Sequence, residues 1–598
     1  MTAPSLADGG RGRRPVWISS GAGVMVAIGL AGVLVTRFAP MQAYLVSLLM
    51  QASTYAIAVL GLTIVLGYAG QINLAQAAFF GIGAYGVALG TASFGLPFWV
   101  ALVIGTGAAA IAGAALGMAS LRVGGHYLAM VTISFQTILS LVLIIWVSFT
   151  HGPDGVPNIA RPAWFGHSLG DAGYLSLCIG ALCAVALFVF WVPKTRGGRA
   201  MQALRDNELA AEVVGVDTYR TKVIAFALSS LLGGLGGGLF AGGVSYVSPD
   251  QFTFNESVVF LTMVLLGGVR SPYGAVLGTS LLILLPEWLR FLKNIYLAVY
   301  GVAVILIMVF MPDGIWGFVS RQWRKLRPQA PLDLGDLEPL PLVRESPRDA
   351  GRVILAVEGL SKHFGGLKAI DEVTFAVLSN DVHALIGPNG SGKTTMLNVL
   401  SGIYRPTRGR IVFGGDDLAG LHPHDRAGRG LGRTFQNIRL FTAMSVVENV
   451  MVGAERPNNP VAGDKSAIER HALAALDFVG LSHRAQVEVG SLSYGHQRLV
   501  EIARTLAGSP KLILLDEPGA GLNHVEKAEL VGLLKRLKGH GLTILIIDHD
   551  MNLVEQVADR ITVLNFGRCI ADGSPDEVLR HPDVIAAYLG KANDRAAA

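Results

Sequence analysis

A glycine-rich run in the second half of the chain has the residue types and spacing that bind phosphate. The apolar stretch His383 to Ile386 predicts a strand, and it leads directly into the run Gly387-Pro-Asn-Gly-Ser-Gly-Lys-Thr-Thr395. Glycines let successive backbone N–H groups turn toward nucleotide phosphates, Lys393 supplies positive charge, and the Thr394 hydroxyl can coordinate Mg²⁺. The match is complete, so each position is a predicted phosphate-site residue: Gly387, Pro388, Asn389, Gly390, Ser391, Gly392, Lys393, Thr394 and Thr395.

Two adjacent carboxylates end a second predicted strand of the same region. Lys511 to Leu515 is typical of a buried strand, and Asp516 and Glu517 follow it. A carboxylate at the end of a parallel strand can meet the Mg²⁺ ion beside a phosphate-binding loop. We therefore expect Asp516 to hold Mg²⁺ through its water shell and Glu517 to orient or deprotonate an attacking water. The alternative, an acidic turn with no catalytic role, is disfavoured because the same region contains a phosphate-binding loop.

Between these elements lies a run that points to a family. Leu492-Ser-Tyr-Gly-His-Gln497 precedes the helical pattern Arg498 to Ala507, and it resembles the signature sequence of ABC transporters. Gln436 in the run RTFQ and His549 in the run IDHD complete a set that is similar to an ABC ATPase. The resemblance extends over residues 353–590 and implies an α/β domain that hydrolyses ATP with Mg²⁺.

The resemblance also implies roles for individual side chains. Ser493 and Gly495 would bind the γ-phosphate of a nucleotide held by a partner ATPase, and His549 would contact the γ-phosphate. Phe364 would stack on adenine, although a lone aromatic residue at a strand end more often belongs to the core. The predicted catalytic residues are Glu517, His549 and Gln436, the further nucleotide contacts are Phe364, Ser493, Gly495 and Gln497, and the predicted Mg²⁺ residues are Thr394, Gln436 and Asp516.

Two positions depart from the broad ABC pattern, and they refine the resemblance. Tyr494 replaces the second glycine of the signature, and Gly519 to Asn523 occupies a loop that commonly ends in Asp. Both variants resemble the branched-chain amino acid branch, as do Arg433 to Phe441, His581 to Ile585 and Ala587 to Gly590. In the first half, the runs similar to a permease subunit of the same systems are Gly198 to Arg205, Ser248 to Phe254 and Leu266 to Arg270. The resemblance implies a natural fusion of permease and ATPase.

Composition separates the two halves. Of the 598 residues 15% are charged and 52% are apolar, whereas an average soluble domain has about 25% charged residues. Residues 38–121 and 123–153 contain no Asp, Glu, Lys or Arg, which indicates burial in lipid. We predict a multidomain fold, with a polytopic α-helical membrane domain followed by an α/β phosphate-loop ATPase domain. The expected boundaries are a cytoplasmic tail 1–16, a permease domain 17–320, a linker 321–351 and the ATPase domain 352–598.

Apolar stretches of spanning length, or nearly so, predict eight to ten membrane spans. The first, Trp17 to Val35, is long enough for an uncleaved span. Positive residues stay on the cytoplasmic side, so Arg11 to Arg14 and Arg321 to Arg327 place both ends of the bundle there. The expectation is a bacterial inner-membrane protein with a cytoplasmic ATPase. The net charge of +5 follows these topology signals rather than a continuous patch, so no nucleic-acid partner is expected.

One long polar interruption of the apolar half, Lys194 to Lys222, is predicted to be cytoplasmic. Within it, Ala200 to Val214 has helix-forming composition, and Gly215 stands where a helix C-cap would be. A solvated connector is the simpler interpretation. Because an ATPase on the same chain needs an element to push on, we predict a coupling helix that docks near Gln436 and residues 437–441.

Uncharged polar residues also interrupt the apolar half, at Gln71, Asn73 and Gln76. They can form hydrogen bonds between helices or contact a substrate, and the sequence leaves both open. The glycine-rich run Leu232 to Gly243 favours close helix packing. A mobile or broken helix beside a substrate path is the alternative.

These features together predict an importer. The resemblance implies ATP-driven uptake of branched-chain amino acids from a periplasmic solute-binding protein, with a second permease subunit and a second ABC ATPase in the lipid bilayer. The same machinery carrying another small polar solute, such as urea, short amides or aromatic acids, stays open. An exporter is disfavoured because only one cytoplasmic loop is long, and a non-transport ATPase is excluded by the apolar spans.

Overall fold

The computed structural model describes residues 42–119, 126–164, 167–326, 351–456 and 461–589, with a few isolated positions besides. The chain divides into two compact units. The first contains residues 1–201 and 219–329, and the second contains residues 202–218 and 330–598. A short segment from inside the membrane half of the sequence therefore packs as part of the second unit. Most of the predicted linker 321–351 lies outside the described residues.

The first unit is built mainly from apolar helices, with polar residues concentrated in Arg196–Asp206 and Gly314–Leu326. Its α-helices of ten or more residues are α1 Ala43–Leu62, continued by the π-helix Thr63–Tyr68, α2 Gln76–Ala92, α3 Phe98–Ala119, α4 His126–Ile145, α5 Asp171–Trp191, α6 Arg196–Asp206, which ends in the second unit, α8 Thr218–Val244, α9 Phe254–Gly267, α10 Pro272–Trp288, α11 Tyr296–Phe310 and α12 Gly314–Leu326. Two pairs of two-residue strands complete it, Val156–Pro157 with Tyr246–Val247 and Ala163–Trp164 with His167–Ser168.

Among the residues that the structure describes, fewer helices could span a membrane than the eight to ten expected of the whole chain. The described residues contain six that are long and apolar enough, or seven if the bent pair Val304–Phe310 and Gly314–Trp323 is one span. The difference has a physical origin, because Ile72 to Gly90 yields only the 17-residue α2 and Ser257 to Val269 only the 14-residue α9. The first predicted span, Trp17 to Val35, lies largely outside the described residues.

The glycines of α8 serve close packing. A Cβ atom on Gly237 would meet the carbonyl oxygen of Phe80, and one on Gly83 of α2 would meet that of Gly234. Small residues allow such backbone approach between helices in lipid. The structure therefore agrees with the close-packing interpretation of Leu232 to Gly243, and α8 runs through this stretch without a break.

The polar residues before α2 are engaged within the bundle. The fully buried Gln76 donates to the carbonyl oxygens of Ala58 (2.7 Å) and Ser229 (3.3 Å), and its own oxygen accepts from Asn73 (3.1 Å) and the Ser229 hydroxyl (3.2 Å). All four hydrogen bonds of the Gln76 amide are thus made inside the protein. Of the two interpretations left open, bonding between helices is the one observed for Gln76, whereas Asn73 bonds within its own segment, to Gln76 and the Ala75 N–H.

The second unit contains two sheets. Its strands are β1 Val353–Phe364, β2 Leu367–Leu378, β3 Val382–Ile386, β4 Arg408–Phe413, β5 Asp416–Asp417, β6 Leu431–Arg433, β7 Leu512–Asp516, β8 Thr543–Ile547, β9 Arg560–Asn565 and β10 Arg568–Gly573. The larger sheet has the order β6-β7-β8-β3-β9-β10 and is parallel except for the antiparallel β9–β10 pair. The other sheet is antiparallel, in the order β2-β1-β4-β5.

Helices cover the parallel sheet. They are α7 Glu208–Val214, α13 Lys393–Leu400, α14 Pro423–Gly428, α15 Val446–Ala454, α16 Lys465–Phe478, α17 Tyr494–Leu506, α18 His524–Gly539, α19 Met551–Val557, α20 Pro575–Leu579 and α21 Pro582–Leu589. Alternate residues of β3 enter two different apolar clusters, Val382, Ala384 and Ile386 in one and Leu385 in the other. Both faces of the strand are buried, as expected in a parallel sheet, so the loops at its end are held firmly.

The predicted helix Ala200 to Val214 is two helices rather than one. Asn207 separates α6 from α7 because its extended backbone and side chain cap α7, with Oδ1 accepting from the Ala210 N–H at 2.9 Å. Gly215 ends α7 as predicted, at φ 108° in the left-handed region that favours glycine.

Candidate functional site

The glycine-rich run forms a tight loop between β3 and α13. Gly387, Gly390 and Gly392 have φ angles of 151°, 81° and 102°, so each takes a backbone conformation that favours glycine. Lys393 Nζ donates to the carbonyl oxygens of Gly387 (2.7 Å) and Pro388 (3.0 Å). Burial lowers the pKa of Lys393, and the nearby carboxylates of Glu517 and Asp516 oppose this effect. The lysine is thus held inside the loop, whose backbone can surround a phosphate.

Asp516 is oriented by an arginine that was not predicted to act at the site. Asp516 ends β7 and is 2% exposed, and its Oδ2 lies 3.5 Å from Arg433 Nη2. Arg433 is itself anchored by Nη1, which donates to the Ser401 hydroxyl (2.5 Å). Burial raises the pKa of Asp516, and the Arg433 charge opposes the rise. The only sequence signal for Arg433 was its place at the start of RTFQ.

The three predicted catalytic side chains meet at one carboxylate. Gln436 Nε2 donates to Glu517 Oε2 at 3.0 Å, and His549 Nδ1 lies 3.6 Å from the same oxygen. Gln436 and His549 are exposed, whereas Glu517 is half-buried. Glu517 has φ 44°, an unfavourable conformation for a residue with a side chain, and such strain is found at functional sites. The arrangement can orient a water molecule on the carboxylate.

Asp548 joins the two loops that carry Glu517 and His549, and sequence reasoning missed it. Its Oδ2 accepts from the Gly519 N–H (3.2 Å) and its Oδ1 from the Asp550 N–H (3.0 Å). The side chain is 1% exposed. Since it sits beside His549 in the run IDHD, its position was visible in the sequence, but its long-range partner Gly519 was not.

The signature run begins helix α17. Ser493 is the N-cap residue, exposed, and its Oγ accepts from the His496 N–H. A Cβ atom on Gly495 would meet Glu526 Oε1 of α18, so the glycine allows a close approach. The amide of Gln497, a predicted nucleotide contact, donates to the carbonyl oxygen of Leu492 (3.0 Å) and holds the chain before the helix.

The buried face of α17 binds the segment around Gln436. Arg498 donates to the carbonyl oxygens of Phe435 (2.6 Å) and Gln436 (2.7 Å). Glu501 accepts from the Phe435 N–H (3.3 Å) and pairs with Arg498 at 2.9 Å. Burial raises the pKa of Glu501, and the charges of Arg498 and Arg504 oppose it. Because buried charges are costly unless paired, this network ties α17 firmly to Gln436.

Phe364 lies at the end of β1 with 42% of its surface exposed. Its ring contacts Tyr404 edge to face, with centroids 5.3 Å apart, and Lys362 Nζ lies 4.9 Å from the Phe364 centroid. The exposure leaves a ring face available for stacking. Tyr404, 40 residues further along the chain, was missed because nothing local marks the pair.

Residues 202–218 pack on the same region of the second unit. Asp206 Oδ2 accepts from the Ala443 N–H (2.7 Å), and Asn207 Oδ1 accepts from Arg439 Nη1 (3.3 Å). An apolar cluster lies beneath these bonds, formed by Ala203, Ala210, Ala211, Val213 and Val214 with Phe435, Phe441, Met444 and Val452. The contacts include the predicted segment 437–441 and extend beyond it.

The end of α7 has a further anchor. The buried Arg456 donates from Nε to the Val214 carbonyl oxygen (3.0 Å) and from Nη1 to that of Ala427 (3.2 Å). His424 of α14 lies 3.9 Å from Glu212. The nearby Glu212 carboxylate raises the pKa of His424.

Comparison with known protein families covers both halves of the chain. The family model described as "Branched-chain amino acid transport system / permease component" matches residues 44–311. The model "ABC transporter" matches residues 370–520, and "Branched-chain amino acid ATP-binding cassette transporter" matches residues 568–594.

Curated relatives match the second half. The "High-affinity branched-chain amino acid transport ATP-binding protein BraF" of Pseudomonas aeruginosa is 44% identical over 254 residues, which are 40% of this chain and 99% of the relative. The "High-affinity branched-chain amino acid transport ATP-binding protein LivG" of Escherichia coli is 41% identical over 252 residues, which are 40% of this chain and 98% of the relative. A solved ATP-binding cassette of an ABC transporter in its ADP conformation is 35% identical, covering 40% of this chain and 99% of that chain, with a TM-score of 0.37.

Proposed function

Since the chain belongs to the branched-chain amino acid family of ABC transporters, with a permease and an ATPase domain in one polypeptide, we propose that it is an importer subunit. It would hydrolyse ATP to bring branched-chain amino acids across a bacterial inner membrane, with its ATPase domain in the cytoplasm. The observation that carries the proposal is the joint match of both halves to components of the same transport systems.

The nucleotide site supports hydrolysis by positioned side chains. Backbone N–H groups of residues 387–395 and the Lys393 amine would bind the phosphates. Glu517, with Gln436 bonded to its carboxylate, would orient the attacking water and accept its proton. His549, within reach of the same carboxylate, would contact the γ-phosphate, and Phe364 would stack on the adenine.

The residues present fit Mg²⁺. Among the described residues, Asp516 Oδ1 and Ser391 Oγ are buried polar atoms without a hydrogen-bond partner, and hard oxygen ligands suit this cation. Thr394, Gln436 and Asp516 would hold it. A bound Mg²⁺ would neutralise charge on the β- and γ-phosphates, while Arg433 keeps Asp516 in place.

The assembly would need partners. The sequence has one phosphate-binding loop and one signature run, and in the proposed mechanism Ser493 and Gly495 act on a nucleotide held by a second ATPase. A second permease subunit would complete the membrane path, and a periplasmic solute-binding protein would deliver the amino acid. Much of the substrate selection would lie in that binding protein.

Residues 202–218 would couple hydrolysis to transport. They contact the segment 435–444, which in turn is bonded to α17 and to Glu517. A movement of α17 or of Gln436 would therefore displace α7. This supports the role of a coupling element for α6 and α7.

Transport in proteoliposomes tests the proposal. The chain is reconstituted with its partner subunits and the solute-binding protein, and ATP is supplied on the side of the membrane that the ATPase domain faces. Transport of radiolabelled leucine, urea, acetamide and benzoate from the opposite side is then measured. Lys393→Ala provides the inactive control. ATP-dependent uptake of leucine that is absent from the control is expected. Uptake of urea or benzoate alone would reject the amino-acid cargo, and solute efflux would reject import.

A further inference from the structure

His496 makes a short contact with the signature serine. Its Nδ1 lies 2.8 Å from Ser493 Oγ, and its backbone N–H also points at that oxygen at 3.4 Å. A ring carbon at 2.8 Å from oxygen would be closer than the roughly 3.3 Å at which such contacts begin. The contact is therefore a hydrogen bond between the imidazole nitrogen and the hydroxyl, with the proton on one side or the other.

The position of that proton decides what the serine can do. A hydroxyl has one proton to donate and two lone pairs that accept. A phosphate oxygen without a proton can only accept, so Ser493 binds it only by donating. If His496 Nδ1 lacks a proton, the Ser493 hydroxyl donates its only proton to that nitrogen and cannot donate to a phosphate. If Nδ1 carries one, the two lone pairs of Oγ accept from His496 N–H and Nδ1–H, and the Ser493 proton is free.

We propose that His496 is a positioning residue that holds a proton on Nδ1 and thereby directs the Ser493 hydroxyl proton to the γ-phosphate of the nucleotide bound by the partner ATPase. This inference rests on the proposed function, in which Ser493 contacts that phosphate. The first turn of α17 is suited to an anion, because backbone N–H groups and the positive end of the helix dipole lie there.

The charged side chains near the first turn of α17 form hydrogen bonds with groups other than the His496 imidazole. Glu526 of α18, beside Gly495, accepts from the Asn523 N–H at 3.0 Å. The Arg498 guanidinium donates to the carbonyl oxygens of Phe435 and Gln436. Among the contacts described, the hydrogen-bond partner of the His496 imidazole is Ser493, so the proton on Nδ1 acts through the serine.

A matched pair of substitutions separates the two proton arrangements. In His496→Asn a side-chain amide can donate to Ser493 Oγ, as Nδ1–H does, whereas in His496→Asp a carboxylate of the same shape can only accept. Both residues are tolerated in the first turn of a helix, and the acid is favourable there. The assembled transporter is measured for kcat and KM for ATP, and thermal midpoints check that both variants fold.

We expect His496→Asn to keep KM for ATP within about threefold of the unchanged protein, and His496→Asp to raise it by about 10- to 100-fold, the range for losing a hydrogen bond to a charged group. The same pair is then placed in a Ser493→Ala background, which forms a double-mutant cycle. Repulsion between Asp and phosphate persists there, but the serine proton is gone. The Asp-to-Asn ratio of KM should therefore shrink by at least about fivefold.

An equal Asp-to-Asn ratio in both backgrounds would overturn the inference, because the effect would then be repulsion alone. A His496→Asn variant as impaired as His496→Asp would overturn it as well. The underlying function fails in a different way, since Ser493→Ala alone would then leave KM and kcat for ATP unchanged.

Discussion

Gln436 and Glu517 share a hydrogen bond in which the amide Nε2 donates to the carboxylate Oε2 over 3.0 Å. Glu517 directly follows β7, the strand that Asp516 ends. Gln436 begins the segment whose next residues contact α6 and α7 through Arg439 and Phe441. The bond thus joins the carboxylate expected to activate water to the segment expected to move with transport. A change at either end alters the geometry at the other.

Glu517→Gln should lower the rate of ATP hydrolysis by about 10²- to 10³-fold while ATP binding persists, because the amide cannot accept a proton but keeps the size of the side chain. Phosphate release and binding of a fluorescent ATP analogue measure the two properties. Glu529→Gln, an exposed position on α18, is the control. Hydrolysis near the unchanged rate in Glu517→Gln would remove Glu517 from the mechanism.

Arg433→Gln should raise the Mg²⁺ concentration for half-maximal hydrolysis by about tenfold or more, since residues that hold a metal ligand typically contribute 10- to 100-fold to metal affinity. The reason is the loss of the Arg433 contact with Asp516. Titration of Mg²⁺ at saturating ATP measures the effect. Arg429→Gln, which removes a bond to Asp416 and one to the Asp425 carbonyl oxygen but no contact with Asp516, should leave the titration unchanged, and a shift of equal size there would refute the assignment.

Arg456→Met should uncouple transport from hydrolysis. It leaves the Val214 carbonyl oxygen without the buried Arg456 donor and removes one of the two donors to the Ala427 carbonyl oxygen. The cost is about 1–3 kcal/mol, and the end of α7 is loosened. We expect ATPase activity within about threefold of the unchanged protein and transport lowered by about tenfold. Arg470→Met, at an exposed position, is the control. An equal fall of both activities would indicate a general loss of stability instead.

The docking of α7 should weaken at alkaline pH. The nearby Glu212 carboxylate, together with the charges of Asp425 and Asp217, raises the pKa of His424 above its ordinary value, and burial opposes the rise. A raised pKa means that the stabilisation is fully present below about pH 6.5 and is lost as pH rises through the raised value. Amide exchange of residues 208–214, expressed as protection factors between pH 6 and 9, measures it.

His424→Gln should remove this pH dependence. His422→Gln, which changes the ring stacked on His424 at a centroid distance of 5.7 Å but not the ion pair, should preserve it. Protection factors that stay constant with pH in the unchanged protein would contradict the prediction.

The sequence was most informative where function depends on neighbouring residues. The phosphate-binding loop, the pair Asp516 and Glu517, and the glycine that ends α7 each depend on local backbone geometry, which a few residues encode. The family resemblance located Gln436 and His549, and the structure brings both to Glu517.

The remainder depends on contacts between distant residues. Tyr404 against Phe364, Asp548 against the Gly519 N–H, and Arg456 against Val214 join segments 29 or more residues apart, and no local pattern encodes them. Asn207 was hidden inside a helical composition because its capping bond is visible only in three dimensions. Among the described residues, fewer apolar runs form helices of spanning length than the sequence predicted, because runs such as Ile72 to Gly90 include non-helical backbone.

The position of residues 202–218 in the second unit has a consequence for synthesis. Val214 and its donor Arg456 are 242 residues apart, and a ribosome adding about 5–20 residues per second needs about 12–50 s to make that length. For most of this interval the apolar face of α7 has no partner, because Phe435, Phe441 and Met444 are made only shortly before Arg456. Slow translation of the intervening membrane spans would lengthen this exposure. In a chain halted before Arg456, residues 202–218 would remain accessible to chaperones or proteases.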